Sequence, residues 1–314
     1  MKIKTEQVDS STLDSIEFDL VLVSSGFESR GRYLMSQHPL LQSKTKIVVG
    51  FNNFRDDSIR IYNDSLFEKF GFTFIIGSGN ESAFVLAMLE NLFSKVSSSQ
   101  LTVLIDYSCM TRVWYAEILR YFSMIQNSVK VELYFSYTVS QYLPPPDNPP
   151  LNKFTEPLDG FYSISVPIKP TALLIGLGYV SSRAFGLAEY FDVQPYLFIN
   201  DSSFNEEFHN EVIKQNSDLI KYVSEDKLFY YPLDNLTYTE TLINHICVDL
   251  LNDYRVILAP CGPKPFTLLS LITSLRLNNV DVWRISAGEN ESPLDKKANG
   301  TILVLKCSIQ NNEC

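Results

Sequence analysis

The segment from Leu101 to Phe122 constrains the fold of this chain more strongly than any other part of the sequence. It begins with an apolar run, Leu101 to Ile105, which predicts a strand buried on both faces of a sheet. A polar loop, Asp106 to Arg112, follows the run, and apolar residues at helical spacing come next. Ligands of open α/β sheets lie outside the carboxyl ends of the strands, where loops meet helix N-termini. We therefore expect this loop to line a ligand crevice through four side chains: Asp106, Ser108, Thr111 and Arg112.

The same order of strand, loop and helix recurs elsewhere in the chain. Arg255 to Ala259 is a second apolar run, and a loop that contains Gly262 and Lys264 separates it from a helical pattern. The segments Asp19 to Met35 and Thr171 to Phe191 each combine an apolar strand, a glycine, a Ser-Arg pair and a helix. Each pattern predicts a strand-end loop able to reach a ligand.

The spacing of the basic residues in these loops indicates a repeat. Arg30 and Arg112 are 82 positions apart, and Arg183 and Lys264 are 81 positions apart. Two pairs at nearly the same separation predict an internal duplication with about 150 residues in each copy.

Short apolar runs alternate with helical segments through both halves, which is typical of a doubly wound parallel sheet. The predicted fold class is therefore α/β, with two similar Rossmann-like sheets related by internal duplication. We expect an N-terminal half over 1–142, a proline-rich linker and bridging strand over 143–170, and a C-terminal half over 171–314. Three expected elements bear on this division: a bridging strand at Phe161 to Ile168, one long helix at Phe204 to Val223 and a closing strand at Thr301 to Ser308.

Composition limits the possible functions. The net charge is −10, which argues against a binder of long nucleic acid but leaves room for a small anion in a locally basic pocket. Five cysteines without a CxxC pair indicate a reducing compartment, and no signal peptide or apolar run of about 20 residues is evident. We expect a cytoplasmic protein that does not bind membranes.

The glycine and Ser-Arg segments supply the other candidate ligand-binding residues. A glycine directly after a strand lets the backbone turn sharply and approach a ligand. The alternative interpretation of Glu28 and the neighbouring arginines is a surface cluster of ion pairs. The candidates in these loops are Gly26, Glu28, Ser29 and Arg30 in the first half, and Gly178, Ser182, Arg183, Gly262 and Lys264 in the second.

The sequence offers little for catalysis. None of the three histidines is expected in a strand-end loop, and no cluster has the spacing of metal ligands. We therefore assign no catalytic residue, no metal site and no cofactor. An enzymatic alternative stays open, in which Asp106, Ser108 and Arg112 open a cyclic phosphodiester.

The loop from Asp106 to Arg112 resembles the D-x-[ST]-x-x-T-[KR] loop of CRISPR-associated Rossmann-fold (CARF) sensor domains, and Gly262 to Lys264 looks like a second copy of it. The paired arrangement is similar to that of SAVED domains. This resemblance implies a cyclic or linear oligonucleotide ligand, bound by the loops after the first and fourth strands of each half. It also implies a role in bacterial antiviral defence and, because no effector domain is evident, a separate effector protein as partner.

Three hypotheses about function follow. In the first, the chain is a sensor or regulatory subunit that binds a small phosphorylated ligand in a crevice between two CARF-like halves. In the second, it is a nucleotide-processing enzyme of the ring-opening phosphodiesterase type. In the third, it is a scaffold without a ligand that binds a partner effector.

Overall fold

The computed structural model describes all residues except 95–98, 126–128, 147–151, 165–167, 181–182, 289–293 and 311–314. The chain divides into two compact units. Unit 1 comprises Met1–Gln141 together with Glu291–Cys314, and unit 2 comprises Tyr142–Asn290.

Unit 1 is built on a seven-stranded sheet, in the described residues, with the order β1-β13-β6-β5-β2-β3-β4. The five strands from β6 to β4 in this order are parallel, and β13 runs antiparallel to both β6 and β1. The strands are β1 (Lys2–Val8), β2 (Glu17–Ser25), β3 (Gln42–Phe51), β4 (Thr73–Gly77), β5 (Gln100–Asp106), β6 (Lys130–Ser140) and β13 (Ala298–Gln310).

Helices cover both faces of this sheet. Each right-handed connection places its helix on one face, and the face changes at the point where the strand order reverses. Consecutive residues of β3 demonstrate the two faces, because Gly50 abuts Arg60 of α2 (Ser58–Lys69) whereas the ring of Phe51 packs on Trp114 of α4 (Arg112–Ser123). The helices are α1 (Tyr33–Gln37), α2 (Ser58–Lys69), α3 (Ala83–Phe93) and α4 (Arg112–Ser123), with short 3₁₀ turns at Ser10–Ser15 and Ser29–Arg32.

Unit 2 contains a six-stranded sheet, in its described residues, with the order β10-β9-β8-β11-β12-β7. All neighbouring strands are parallel except β7, which runs antiparallel to β12. The strands are β7 (Phe154–Pro157), β8 (Thr171–Gly176), β9 (Tyr196–Asn200), β10 (Leu228–Tyr231), β11 (Arg255–Pro260) and β12 (Val280–Ser286). The helices are α5 (Arg183–Phe191), α6 (Glu206–Gln215), α7 (Ser217–Tyr222), α8 (Leu236–Leu250) and α9 (Lys264–Arg276), with a 3₁₀ turn at Glu225–Lys227.

The parallel strands of both sheets have the same spatial order. Numbered along the chain within each unit, they lie as 3-2-1-4-5, which is the order of a doubly wound Rossmann-like sheet. The order reverses between β2 and β5 in unit 1 and between β8 and β11 in unit 2. We call each of these positions a switch point. The predicted α/β class with two mostly parallel sheets is confirmed, whereas its origin in a duplication stays a prediction.

The structure corrects the predicted boundaries of the two halves. The strand expected to close the C-terminal half is β13, which pairs with β6 and β1 and therefore completes unit 1. Residues 143–170 belong to unit 2, and they supply its edge strand β7 instead of a linker alone. The apolar pattern of β13 reveals a buried strand, but it does not reveal which open sheet edge receives the strand.

Two expected elements also differ. The strand expected at Phe161 to Ile168 is not formed over Phe161 to Ile164, which are irregular, and the part of the prediction that falls on 165–167 lies outside the described residues. The long helix expected at Phe204 to Val223 is interrupted at Asn216, whose φ and ψ of −116° and 15° end α6. The side-chain amide of Asn216 donates a hydrogen bond of 2.8 Å to the Gly178 carbonyl, so the break places this side chain against the switch-point loop.

Candidate functional site

The loops after β2 and β5 meet at the switch point of unit 1, as the sequence predicted. The two strands are parallel neighbours, so their carboxyl ends lie at the same edge of the sheet. Contact between the loops is direct, since the Sγ atom of Cys109 lies 3.5 Å from the Glu28 carboxylate. The candidate residues of unit 1 therefore belong to one cluster.

Arg30 lies inside this cluster, and only 3% of its surface is exposed. Its Nε donates to Glu28 Oε2 at 2.6 Å, and its Nη1 donates to the Tyr137 hydroxyl and the Thr138 carbonyl, both at 3.2 Å. Burial alone would lower the pKa of the guanidinium, but the Glu28 carboxylate and Tyr137 raise it well above its ordinary value. Arg30 therefore remains cationic, and its hydrogen bonds hold the loop to β6.

A segment near the C-terminus completes the surroundings of the β2 loop. Lys296 Nζ lies 3.2 Å from the Glu28 carboxylate, so this acid pairs with a second cation besides Arg30. The backbone N–H of Ser29 donates to Asp295 at 2.7 Å, and that of Arg30 donates to the Lys296 carbonyl at 3.2 Å. Residues distant in sequence thus fix the candidates Glu28 and Ser29.

Asp106 and Ser108 form a buried polar turn at the end of β5. The Ser108 hydroxyl and backbone N–H both donate to Asp106 Oδ1, the latter at 3.0 Å. The Ser108 oxygen in turn accepts a hydrogen bond of 2.7 Å from the Thr138 N–H. Asp106 is 2% exposed and Ser108 is fully buried, so these groups join the β5 loop to β6. This burial does not favour Asp106 as a general base acting on a ligand.

Thr111 and Arg112 form the N-terminus of α4 at the same sheet edge. Thr111 is the N-cap, and its hydroxyl oxygen accepts a hydrogen bond of 3.4 Å from the Trp114 N–H. Arg112 is the first helical residue and is half-buried. Of the two unit 1 arginines chosen from the sequence, Arg112 is the more accessible to solvent.

The turn after β4 also approaches this site. The indole N–H of Trp114 donates to the Ser78 carbonyl at 3.1 Å and to the Glu81 carbonyl at 3.0 Å. These contacts fix the turn against α4. The turn therefore has a packing role beside the site.

Each switch point contains an asparagine that the sequence did not single out. In unit 1, Asn63 of α2 donates from its amide to the carbonyls of Gly26 at 2.9 Å and Glu28 at 3.0 Å. In unit 2, Asn216 makes the equivalent bond to the Gly178 carbonyl at 2.8 Å. The two asparagines lie 37 and 38 positions after their glycines, and this matched spacing was a signal available in the sequence.

In unit 2 the loops after β8 and β11 touch through their backbones. A Cβ atom added to Gly178 would lie 2.3 Å from the Cys261 carbonyl oxygen, and one added to Gly262 would lie 2.3 Å from that of Leu177. The Cys261 N–H also donates to the Gly176 carbonyl at 2.8 Å. Both predicted glycines are therefore required for close approach of the two loops.

The basic candidates of unit 2 occupy helix N-termini. Arg183 is the first residue of α5, and Lys264 is the first residue of α9; both are half-buried. Ser182 lies outside the described residues.

The described residues contain no group of three or more His, Cys, Asp or Glu side chains placed to hold a metal ion. Among the same residues, no helix is both long and apolar enough to cross a bilayer.

These features define an α/β protein with two Rossmann-like sheets and a polar loop cluster at each switch point. No protein-family model matches the sequence, and no curated protein matches it. Among solved structures, the chain is similar to the cytoplasmic domain of a prokaryotic cation chloride cotransporter, with 8% sequence identity and a TM-score of 0.26. The alignment covers 88% of this chain and 99% of that domain. A similarity of this degree supports no inference about function.

Proposed function

We propose that the chain is a sensor or regulatory subunit that binds a small phosphorylated ligand, of the cyclic or linear oligonucleotide class, at its switch points. One observation carries the proposal. The loops after β2 and β5 meet where the strand order reverses, and they bring the half-buried Arg112 to the N-terminus of α4 there. Ligands of doubly wound sheets bind at this position, and phosphates favour helix N-termini and arginine.

The charges around unit 1's switch point support an anionic ligand. Arg30, Arg32, Arg112 and Lys296 all belong to its loops or border them, and Glu28 pairs with two of these four cations. This local group of cations occurs in a chain whose net charge is −10. Cationic side chains at these loops favour a small anionic ligand, while the net negative charge of the whole chain disfavours a long nucleic acid.

A regulatory role is favoured over the enzymatic alternative. Asp106 and Ser108, which a ring-opening mechanism would use, are buried and hydrogen-bonded to each other. The resemblance of their loop to that of CARF sensors supports binding as its function. A sensor of this kind acts through a separate effector protein, whose activity would change with ligand occupancy.

The test is a thermal-shift screen of cyclic and 5′-phosphorylated linear di- and trinucleotides. We expect at least one of them to raise the melting temperature, and the double variant Arg112→Ala/Lys264→Ala to lose that increase. Lys69→Ala is the matched control, because it removes an exposed cation from the last turn of α2, away from the strand-end loops.

Two outcomes would contradict the proposal. Absence of a shift at millimolar concentrations of every ligand would favour the scaffold hypothesis. Recovery of a chemically changed ligand, detected by mass spectrometry after incubation, would favour the enzyme.

A further inference from the structure

An aromatic pair lies beside the switch point of unit 1. Phe27 directly follows Gly26, and Phe54 lies in the loop after β3. Their ring centroids are 5.3 Å apart and their planes meet at 83°, which is an edge-to-face contact. Both residues are half-buried, so aromatic surface reaches solvent at the carboxyl ends of β2 and β3.

Unit 2 contains the same arrangement. Tyr179 directly follows Gly178, and its ring meets that of Phe208 in α6 at 5.2 Å and 82°. In each unit, therefore, the residue after the switch-point glycine packs edge-to-face on an aromatic residue that follows the second parallel strand. The pair thus has the same place in the chain order of both sheets, and in unit 2 it also packs against the buried core.

The backbone of Phe54 is strained. Its φ is 52°, in the left-handed region that bulky residues rarely adopt. The surrounding turn enforces this conformation, since the Asp57 N–H donates to the Phe54 carbonyl at 3.2 Å and the Asn52 N–H donates to the Gly77 carbonyl at 3.0 Å. Such strain persists where the neighbouring structure imposes it, and it concentrates at ligand-binding positions. Glycine would fit this turn without strain, so the backbone conformation alone does not account for a phenylalanine at this position.

We propose that Phe27 and Phe54 form a stacking subsite for a planar heteroaromatic ring of the ligand. This inference rests on the proposed function, in which Arg112 contacts a phosphate of the ligand. It assigns the nucleobase to the loops after β2 and β3, which carry Phe27 and Phe54. Aromatic side chains accept bases of any identity, because every base has a π-face. Arg32, stacked at 4.7 Å over the exposed Tyr62 ring and bonded to Asn63, places a cation beside the subsite.

The experiment compares two probes that differ only in their bases. The first is 5′-phosphorylated triadenylate, and the second is the same ribose-phosphate trimer without bases; binding is measured by calorimetry. Phe54→Gly removes the ring and relieves the backbone strain, so we expect a folded variant. Phe54→Tyr keeps the ring as the matched control. Phe27→Leu removes the other ring at similar volume, in case Phe54→Gly does not fold.

We expect Phe54→Gly to bind triadenylate about 5- to 150-fold more weakly than the wild type, with the affinity for the base-free trimer unchanged. Phe54→Tyr should keep the wild-type affinity. Unchanged triadenylate affinity in both Phe54→Gly and Phe27→Leu would overturn the subsite and leave the proposed function standing. Equal weakening of both probes would also overturn it. If the wild type binds neither probe nor any other phosphorylated ligand, the proposed function fails and the subsite fails with it.

Discussion

The substitution Gly178→Ala tests the close contact of the two unit 2 loops. The added methyl carbon would lie 2.3 Å from the Cys261 carbonyl oxygen and 3.1 Å from the Gly262 Cα. Since Cβ atoms do not approach other heavy atoms closer than 3.0 Å, the loops must separate by at least 0.7 Å. The hydrogen bond from Cys261 N–H to the Gly176 carbonyl, now 2.8 Å, would then stretch to the limit of a useful bond.

The expected cost combines these two effects. Overpacking against rigid backbone costs about 1–3 kcal/mol, and weakening one buried hydrogen bond costs about 1 kcal/mol. We therefore expect Gly178→Ala to lower the free energy of unfolding by about 2–4 kcal/mol. For a unit of this size, that corresponds to a decrease in melting temperature of about 5–15 °C. Urea titration followed by circular dichroism gives the free energy, and calorimetry gives the melting temperature.

Gly186→Ala is the matched control, because it adds the same methyl group in α5 with no other atom within 4 Å. It should stabilise the unit by about 0.5–1 kcal/mol through higher helix propensity. Gly262→Ala should resemble Gly178→Ala, and the double variant should cost less than the two costs added together, because the first methyl already separates the loops. A Gly178→Ala protein within about 0.5 kcal/mol of the wild type would refute the described contact.

Three further predictions concern single side chains. Asn63→Ala deletes the amide that donates to two carbonyls of the β2 loop. We expect the free energy of unfolding, measured by urea titration, to fall by about 1–3 kcal/mol. An unchanged free energy would mean that these hydrogen bonds do not stabilise the loop. Burial alone would raise the pKa of Glu132, but its hydrogen bonds to Lys130 and Lys306 lower this pKa below the ordinary value of 4.5. The carboxylate therefore stabilises the folded state at pH values above 4.5. This stabilisation is lost as the pH falls through the pKa that Glu132 has in the folded protein. Acid titration of Glu132→Gln should accordingly show a shallower loss of stability below about pH 4.5 than the wild type, and identical slopes would refute the assignment. Burial raises the pKa of the Cys247 thiol to about 12, so this residue should resist iodoacetamide at pH 8 in the native protein, as mass spectrometry of the digested protein would show.

The strands of both sheets were largely predictable, and the reason is physical. A parallel strand covered by helices on both faces needs an unbroken apolar run, as in Leu101 to Ile105 and Arg255 to Ala259. Two of the four edge strands in the described residues, β1 and β7, escaped prediction because they lack this constraint. Lys2–Val8 carries mostly polar residues, and Phe154–Pro157 is short and ends in proline.

The location of the candidate site was predictable, but the exposure of its side chains was not. The chain pattern predicted that the β2 and β5 loops would face one crevice if their strands were neighbours, and β2 and β5 are parallel neighbours. Nothing in the residue pattern distinguished Arg30 from Arg112. The partners that bury Arg30, Tyr137 and Thr138, lie more than 100 positions away, and only the fold brings them together.

The connectivity of the antiparallel edge strands has a consequence for how the chain can be divided. β7 follows β6 along the chain but pairs with β12, whereas β13 follows β12 but pairs with β6. Each of these strands thus follows the last parallel strand of one unit and pairs with the last parallel strand of the other. A cut between 158 and 170 would give two fragments that each carry the strand belonging to the other. Each fragment would therefore lack one strand of its sheet. Both fragments would have to be co-expressed to restore the two complete sheets.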